Sequence, residues 1–544
     1  MGYDVVIRGG TVYDGTGAPG VRNDVAISAD TIAHIGDLEE ADAVAAGTLI
    51  DASGLAVAPG FINVLSHSYL SMIKDPRTMS ELVQGVTTQL IGEGSSMGPV
   101  TEQERPQLAA HFGGEVPWQT LREYLLYVED KGISQNVASL IGATTLRIHG
   151  AGHDDRPMTP AELDRVKGLV ADEMADGAMG IGSALIYAPG HYAPTDELVE
   201  LAKVAGRYRG KYFSHLRSEG DRWEEGVDEL LRISREGELP AEVWHLKAIG
   251  AHHWSKMDPV LDTLEAARND GHPITADIYP YTAGGTSLAA CIPPKYAAGG
   301  LEALRGRLAD PTTRKAIADA IAGELDAGWE NLYLASGGAA GVLLASAQPY
   351  DRSDEGAAAE AAAIKGRTLA DHAKFGGTGP GRRAPRSRGA HPGRLHVLHH
   401  DEANIAKAVK RPWIAVGSDA AAQAAEPPNT ETPAHPRSYG TFARFLGHYC
   451  RDLGLASLTE GIRRMTGLPA ATLELDRRGQ LQPGWFADVV VFDPDSFVDT
   501  ATYEDAHRYA VGMRHVFVNG AHTLRDGEHT GVFAGRALAG PGRR

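Results

Sequence analysis

The chain has 544 residues, room for roughly three or four domains of ordinary size or for one large barrel with attachments. Lysine and arginine total 52 against 70 aspartate and glutamate; the resulting formal charge of -18 argues against a nucleic-acid partner. With 43% hydrophobic and 22% charged residues, wholesale disorder is excluded as well.

Two cysteines, Cys291 and Cys450, are too few for a disulfide framework or a thiolate zinc cluster, which points to a reducing compartment. The opening residues place Asp4 and Arg8 among valines, without a basic stretch followed by an apolar one. No run of about 18 apolar residues occurs, so no membrane span is expected. The expectation is a soluble, cytoplasmic protein.

Residues 3–30 read as short strands, DVVIRGG and DVAIS, about a turn at Asp14 and Gly15. The far end has the same texture in ADVVVFDPDSF around Val489 to Val491 and in HVFVNG from His515 to Gly520. These two regions, residues 1–58 and 475–544, predict one small sheet domain assembled from both termini. Between them, in residues 59–474, eight apolar runs of strand length recur, most of them separated by helix-like stretches. They are GFINVLSH ending at His67, GVTTQLIGEG ending at Gly94, NVASLIGATTL around Ile141, MGIGSALIY ending at Tyr187, YFSHLRSE around His215, EVWHLKAIG around His245, ITADIYPYT around Ile278 and WIAVGSDA near Asp419. Strands buried on both faces and joined by helices predict an α/β fold, a (β/α)8 TIM-like barrel. The competing reading is a doubly wound open sheet, but no GxGxxG turn follows an early strand.

Roughly 120 residues separate the seventh and eighth runs, where a plain βα unit takes about 30, so an inserted subdomain is expected at about 289–395. Helical patterns at Leu301–Leu308 and Lys315–Leu325 occupy its first half. The stretch Lys374–Arg394 contains no acid, and its Gly, Pro and Arg forbid regular structure. It reads as a basic lid, a flexible loop, or a local reading-frame error in GC-rich coding sequence. The last two are preferred, and no candidate catalytic residue falls inside it.

Barrel enzymes place their chemistry at the C-terminal ends of strands. There this sequence has His67, Glu93, His215, His245, Lys247, Asp277, Tyr279, Tyr281 and Asp419. Two histidines from neighbouring strands plus a carboxylate make three metal ligands and leave a position open, which a hydrolytic Zn2+ needs. His215 and His245 are the leading candidates, followed by Glu93 and His67. The plain alternative for Glu93 is a cap beside Ser95 and Ser96, and for His67 a hydrogen-bonded core residue. Asp419 can accept a proton from the attacking water and hand it to a leaving group, or it can cap a following helix. Lys247 and Tyr279 can bind a substrate carboxylate, or stand as solvated rim residues.

Several motifs together resemble the amidohydrolase superfamily, and within it the N-acyl-D-amino-acid deacylases, or D-aminoacylases. They are VAPGFINVLSH, GVTT at Gly85 to Thr88, SHLRSEG at Ser214 to Gly220, HLKAIG at His245 to Gly250, TADIYPYTAGGTSL at Thr275 to Leu288, VGSDA at Val416 to Ala420, HPRSYGTFARFLG at His435 to Gly447 and GEHTG at Gly527 to Gly531. The resemblance spans nearly the whole chain outside about 321–398. It implies a metal-dependent barrel with a β-sandwich, hydrolysing N-acyl-D-amino acids to a carboxylate and a free D-amino acid. It also implies His215 and His245 as metal ligands, Asp419 as general acid and base, Lys247 and Tyr279 as carboxylate binders, and Tyr187 as a pocket residue.

The departures from the family pattern are specific. Leu65 stands where the first histidine of an HxH pair is usual, GEGSS at Gly92 to Ser96 lacks the metal-bridging cysteine, and Ala143 replaces a strand-three histidine. One Zn2+ held by Glu93, His215 and His245 is therefore expected, with a small-molecule N-acyl amino acid as partner. Another amide substrate (a cyclic amide, a dipeptide or an N-acyl-L-amino acid) and a metal-poor non-catalytic homologue are the alternatives. Oligomeric state is left open.

Overall fold

The computed structural model describes residues 2–323, 328–345, 348–349, 366–371, 390–391, 394–398, 400–431 and 434–544. Most of the stretch read as a lid, a loop or an error, residues 374–389 and 392–393, lies outside these.

The two ends of the sequence meet in one nine-stranded sheet. Val5–Val12, Val21–Ser28, Thr31–Gly36, Thr48–Asp51 and Ala56–Pro59 come from one end, and Val489–Phe492, Met513–Val518, Ala521–Arg525 and Glu528–His529 from the other. The halves join where Ala56–Pro59 runs antiparallel to Val489–Phe492. Alternation of side chains assigns each residue a face. Val57, Val489 and Val491 pack with Val25, Ile27 and Phe517, while Ala56, Ala58, Val490 and Phe492 face the main core.

That core surrounds parallel strands whose residues are buried on both faces. Phe61–Asn63, Val86–Ile91 and Asn136–Ser139 form one parallel sheet. Ile141–Gly142, Gly180–Ala184, Lys211–His215, Ala241–Val243, Ile274–Ile278 and Ile414–Val416 form a second, also parallel. Only Leu140 separates the sheets along the chain, and its N–H donates to the Ile91 carbonyl at 2.9 Å. At the far edges a parallel bridge pairs Ser66 with Ala420. Asp419 N–H donates to the Leu65 carbonyl and His67 N–H to the Ala420 carbonyl, each at 2.9 Å. The molecule is thus a mixed α/β fold in which the segments just past the first and last parallel strands pair with each other.

The connecting helices are amphipathic. Trp223–Gly237 buries Trp223, Val227, Leu230 and Leu231 at helical spacing. Pro160–Ala175 begins with a capping box of Thr159 and Glu162. Between Ile278 and Ile414 the described residues include the helices Gly300–Ala309 and Pro311–Ile321, and an antiparallel sheet of Ala283–Ser287, Val342–Leu344, Arg367–Thr368 and Arg394–Leu398. Cys291, Leu332, Ala335, Val342 and Leu344 from this region pack on Ile186 and Ile249 from loops that follow parallel strands. No helix among the described residues is long and apolar enough to cross a membrane.

Gly92, at the end of its strand, has φ +112°, and a Cβ there would collide with the Leu140 carbonyl oxygen. Gly92→Ala is expected to destabilise the fold by about 1–3 kcal/mol, read as a lower midpoint in urea or thermal unfolding. An unchanged midpoint would mean that the Leu140 carbonyl does not crowd this position.

Candidate active site

Parallel strands stop together, so the residues just past their ends share one rim. His67, Glu93, His215, His245, Lys247, Tyr187, Tyr279 and Asp419 all line a single open cavity. At its floor, Glu93 Oε1 lies 3.0 Å from His215 Nδ1 and 3.3 Å from His245 Nε2. Glu93 Oε2 lies 3.0 Å from His67 Nε2, and the same nitrogen is 2.9 Å from Asp419 Oδ1. The rings of His215 and His245 meet edge to face with centroids 4.3 Å apart.

Two donor sets result, each with ligand atoms within 4.8 Å of one another: Glu93, His215 and His245, and His67, Glu93 and Asp419. The first fits zinc chemically, since a carboxylate oxygen and two imidazole nitrogens converge from three strand ends. A supporting carboxylate completes it. His245 Nδ1 lies 3.0 Å from Glu219 Oε1 and 2.7 Å from Lys247 Nζ, so a carboxylate and an ammonium both hold the outer edge of this imidazole. Glu219 Oε2 is also 3.6 Å from His215 Nε2, and Lys247 Nζ donates to Glu219 Oε1 at 2.7 Å.

The charges interlock. Burial alone would raise the Glu93 carboxyl, but its bonds to His215, His245 and His67 outweigh burial and hold it well below the usual carboxylate range. Burial opposes ionisation of Glu219 too, and Lys247, His215 and His245 reverse the effect. Asp419 is likewise lowered against its burial by Arg437 and His67. Arg437 Nη1 sits 2.7 Å from Asp419 Oδ2, near enough for charge pairing though not aligned as a hydrogen bond.

The other sequence candidates divide. Tyr279 is buried beneath two cations, with the Arg437 guanidinium 4.5 Å and Lys247 Nζ 5.9 Å from its ring centroid. Tyr187 packs its ring on His215, centroids 5.3 Å apart, and its hydroxyl is 2.9 Å from Thr286 Oγ1. Asp277 lies below the rim, where Oδ1 accepts the His245 N–H at 3.1 Å. Tyr281 turns away, its hydroxyl donating to Asp499 at 3.3 Å. Asp419 caps no helix, because residues 420–428 are not helical. Leu65, where a further histidine is usual, packs among Ile62, Leu90, Phe213 and Trp244. Sequence reasoning missed Glu219 and Arg437. Both lie inside quoted motifs, Glu219 four residues past His215 and Arg437 at the start of the helix Arg437–Arg444.

A family model described as "Amidohydrolase family" matches residues 48–523. The chain belongs to this amidohydrolase family. It is 32% identical to a D-aminoacylase of Alcaligenes xylosoxydans xylosoxydans over 99% of this chain and 98% of the relative. An N-acyl-D-glutamate deacylase of the same organism is 31% identical over 95% and 93% of the two chains. The structure of an N-acyl-D-glutamate deacylase from Bordetella bronchiseptica, complexed with zinc and a phosphonate that mimics the tetrahedral intermediate, superposes with a TM-score of 0.80. It is 30% identical and covers 99% of this chain and 100% of that one.

Beneath the metal-ligand candidates this amidohydrolase carries a second polar layer. Asn63 Nδ2 donates to Glu81 Oε1 and to Ser418 Oγ, both at 2.8 Å, and Asn63 Oδ1 accepts the Ser418 N–H at 2.9 Å. Burial lifts the Glu81 carboxyl to about 8, although Ser418 and Asn63 pull the other way. The folded protein then retains a proton that an unfolded Glu, titrating near 4.5, has released. This contribution to stability is complete below about 4.5, declines as pH rises, and is gone above about 8. Relative to Glu81→Gln, wild type should lose unfolding free energy across that window in denaturant titrations. A pH-independent difference would refute the shift.

Proposed function

We propose that this amidohydrolase cleaves the amide bond of small-molecule N-acyl-D-amino acids, releasing a carboxylate and a free D-amino acid. The convergence of Glu93, His215 and His245 opposite Asp419, with Lys247 and Arg437 flanking Tyr279, carries this reading. The full-length likeness to deacylases of N-acyl-D-amino acids supports it.

Glu93, His215 and His245 would hold one zinc ion. Zinc bound there supplies Lewis acidity toward the scissile carbonyl and acidifies the attacking water. A single ion is favoured because the Arg437 guanidinium already faces Asp419 and opposes a second cation between Asp419 and His67. Asp419, kept ionised, takes a proton from the attacking water and returns it to the amine nitrogen as the C–N bond breaks. Lys247 and Arg437 bracket the substrate's α-carboxylate above Tyr279, and Tyr187 closes the wall beside His215.

The architecture proposed with this chemistry is a closed (β/α)8 barrel over residues 59–474, carrying an insertion at about 289–395, with a β-sandwich of residues 1–58 and 475–544. The bridge between Ser66 and Ala420 supports closure. Two buried free thiols, Cys291 and Cys450, suit a cytoplasmic setting.

Purified protein should release amine from N-acetyl-D-amino acids and not from their L counterparts, lose the activity on chelation, and regain it with zinc. Release from the L series alone, or from neither series with or without zinc, would reject the proposal. Asp419→Asn should lower kcat by about 10²- to 10⁴-fold with zinc content retained. His215→Ala and His245→Ala should lose both activity and zinc; metal analysis showing zinc retained in either variant would remove that residue from the ligand set.

A further inference from the structure

Two residues of the site adopt backbone conformations that side-chain-bearing residues rarely hold. His245 has φ 40° and Asp419 φ 49°. Such conformations persist where their surroundings over-determine them. For Asp419 the surroundings are explicit.

Ser418, the preceding residue, is fully buried and engaged at both its backbone and its hydroxyl. Its N–H donates to Asn63 Oδ1 at 2.9 Å, and its Oγ receives a hydrogen from Asn63 Nδ2 at 2.8 Å and donates to Glu81 Oε1 at 3.2 Å. Asn63 uses its amide in full, since Nδ2 also donates to Glu81 Oε1 at 2.8 Å and Oδ1 also accepts the Leu65 N–H at 3.2 Å. The Leu65 carbonyl in turn accepts the Asp419 N–H at 2.9 Å. Glu81 lies on the short helix Met79–Leu82, which is itself tied past the turn: Ser80 N–H donates to the Gln423 carbonyl and Gln423 N–H to Ser80 Oγ, both at 3.0 Å. The chain is therefore held on both sides of Asp419 by residues that do not line the cavity.

We propose that Asn63, Glu81 and Ser418 are positioning residues, a buried clamp that holds Asp419 in its left-handed turn with its carboxylate facing His67 and Arg437. The inference rests on the reading of Asp419 as the proton carrier. An amide at position 63 suits the task because it serves two backbone N–H groups with its oxygen while giving both its hydrogens away. Neither a carboxylate nor an apolar residue there can do both.

The test compares Glu81→Ala, Ser418→Ala and Glu81→Gln in the zinc-loaded full chain, by steady-state kinetics on N-acetyl-D-amino acids, zinc analysis and crystal structures. Glu81→Ala should lower kcat about 10- to 100-fold, the scale of a displaced catalytic group, with zinc content unchanged. Its KM should stay within about twofold of wild type. Glu81→Gln keeps the accepting oxygen and should restore kcat to within about threefold of wild type. The Glu81→Ala crystal structure should show Asp419 moved out of positive φ. Full kcat in Glu81→Ala, equal loss in Glu81→Gln, loss accompanied by zinc release, or an unmoved Asp419 would each overturn the clamp. Should Glu81→Ala not fold, Ser418→Ala, which removes one hydroxyl, carries the same comparison. Should wild type release no amine from any substrate, the proposed activity falls, and the position of Asp419 in the variant structures still decides the clamp.

Discussion

A carboxylate with little access to water must be surrounded by groups that stabilise its charge, and the centre of this molecule is organised by that demand at Glu93. Its two oxygens face three imidazoles, from His67, His215 and His245. The imidazoles have their own carboxylates, Asp419 beside His67 and Glu219 behind His245. Those carboxylates in turn have cations, Arg437 and Lys247. Carboxylates, imidazoles and cations follow one another outward from Glu93, so replacing one member alters the ionisation of its neighbours.

The strands that carry these residues pack many apolar side chains against the helices, and a buried polar layer lies directly below the rim. Asn63, Glu81, Ser418 and Asp277 belong to that layer, and each touches the backbone or the neighbouring residue of a group on the rim. Apolar packing supplies the stability of the scaffold, while directional bonds set the angles at its mouth. Strain at His245 and Asp419 fits this division, because directional bonds anchored in a rigid scaffold hold the backbone at Asp419 and His245 in unfavourable conformations.

Much of this was legible from residue order. Runs such as YFSHLRSE and EVWHLKAIG combine a buried strand with a terminal histidine, and strand-end placement alone brought His215, His245 and Glu93 to one rim. The β-texture of residues 3–30 and around 489–520 anticipated that both ends share a sheet. Other features were not legible, for a physical reason. The contact between His67 and Asp419 joins residues 352 positions apart, and it exists only because the segments just past the first and last parallel strands pair. Arg437 reaches Asp419 from a helix beyond the last strand, and no periodicity distinguishes it from other arginines. Glu219 could be seen beside His215, but its bond to His245 requires the neighbouring strand to be in register.

The sheet that unites residues 5–59 with residues 489–529 has a temporal side. Ribosomes extend a chain at about 5–20 residues per second, so the strand Ala56–Pro59 waits roughly 20 to 90 seconds for its partner Val489–Phe492 to be made. During that interval an apolar strand edge is exposed and able to pair with other chains. Everything between the two strands, the metal-ligand candidates included, must be synthesised before the sheet can be finished. Yield in the cell therefore depends on how well that waiting edge is shielded, and slower translation or higher expression would draw more of the protein into aggregates without any change in its folded stability.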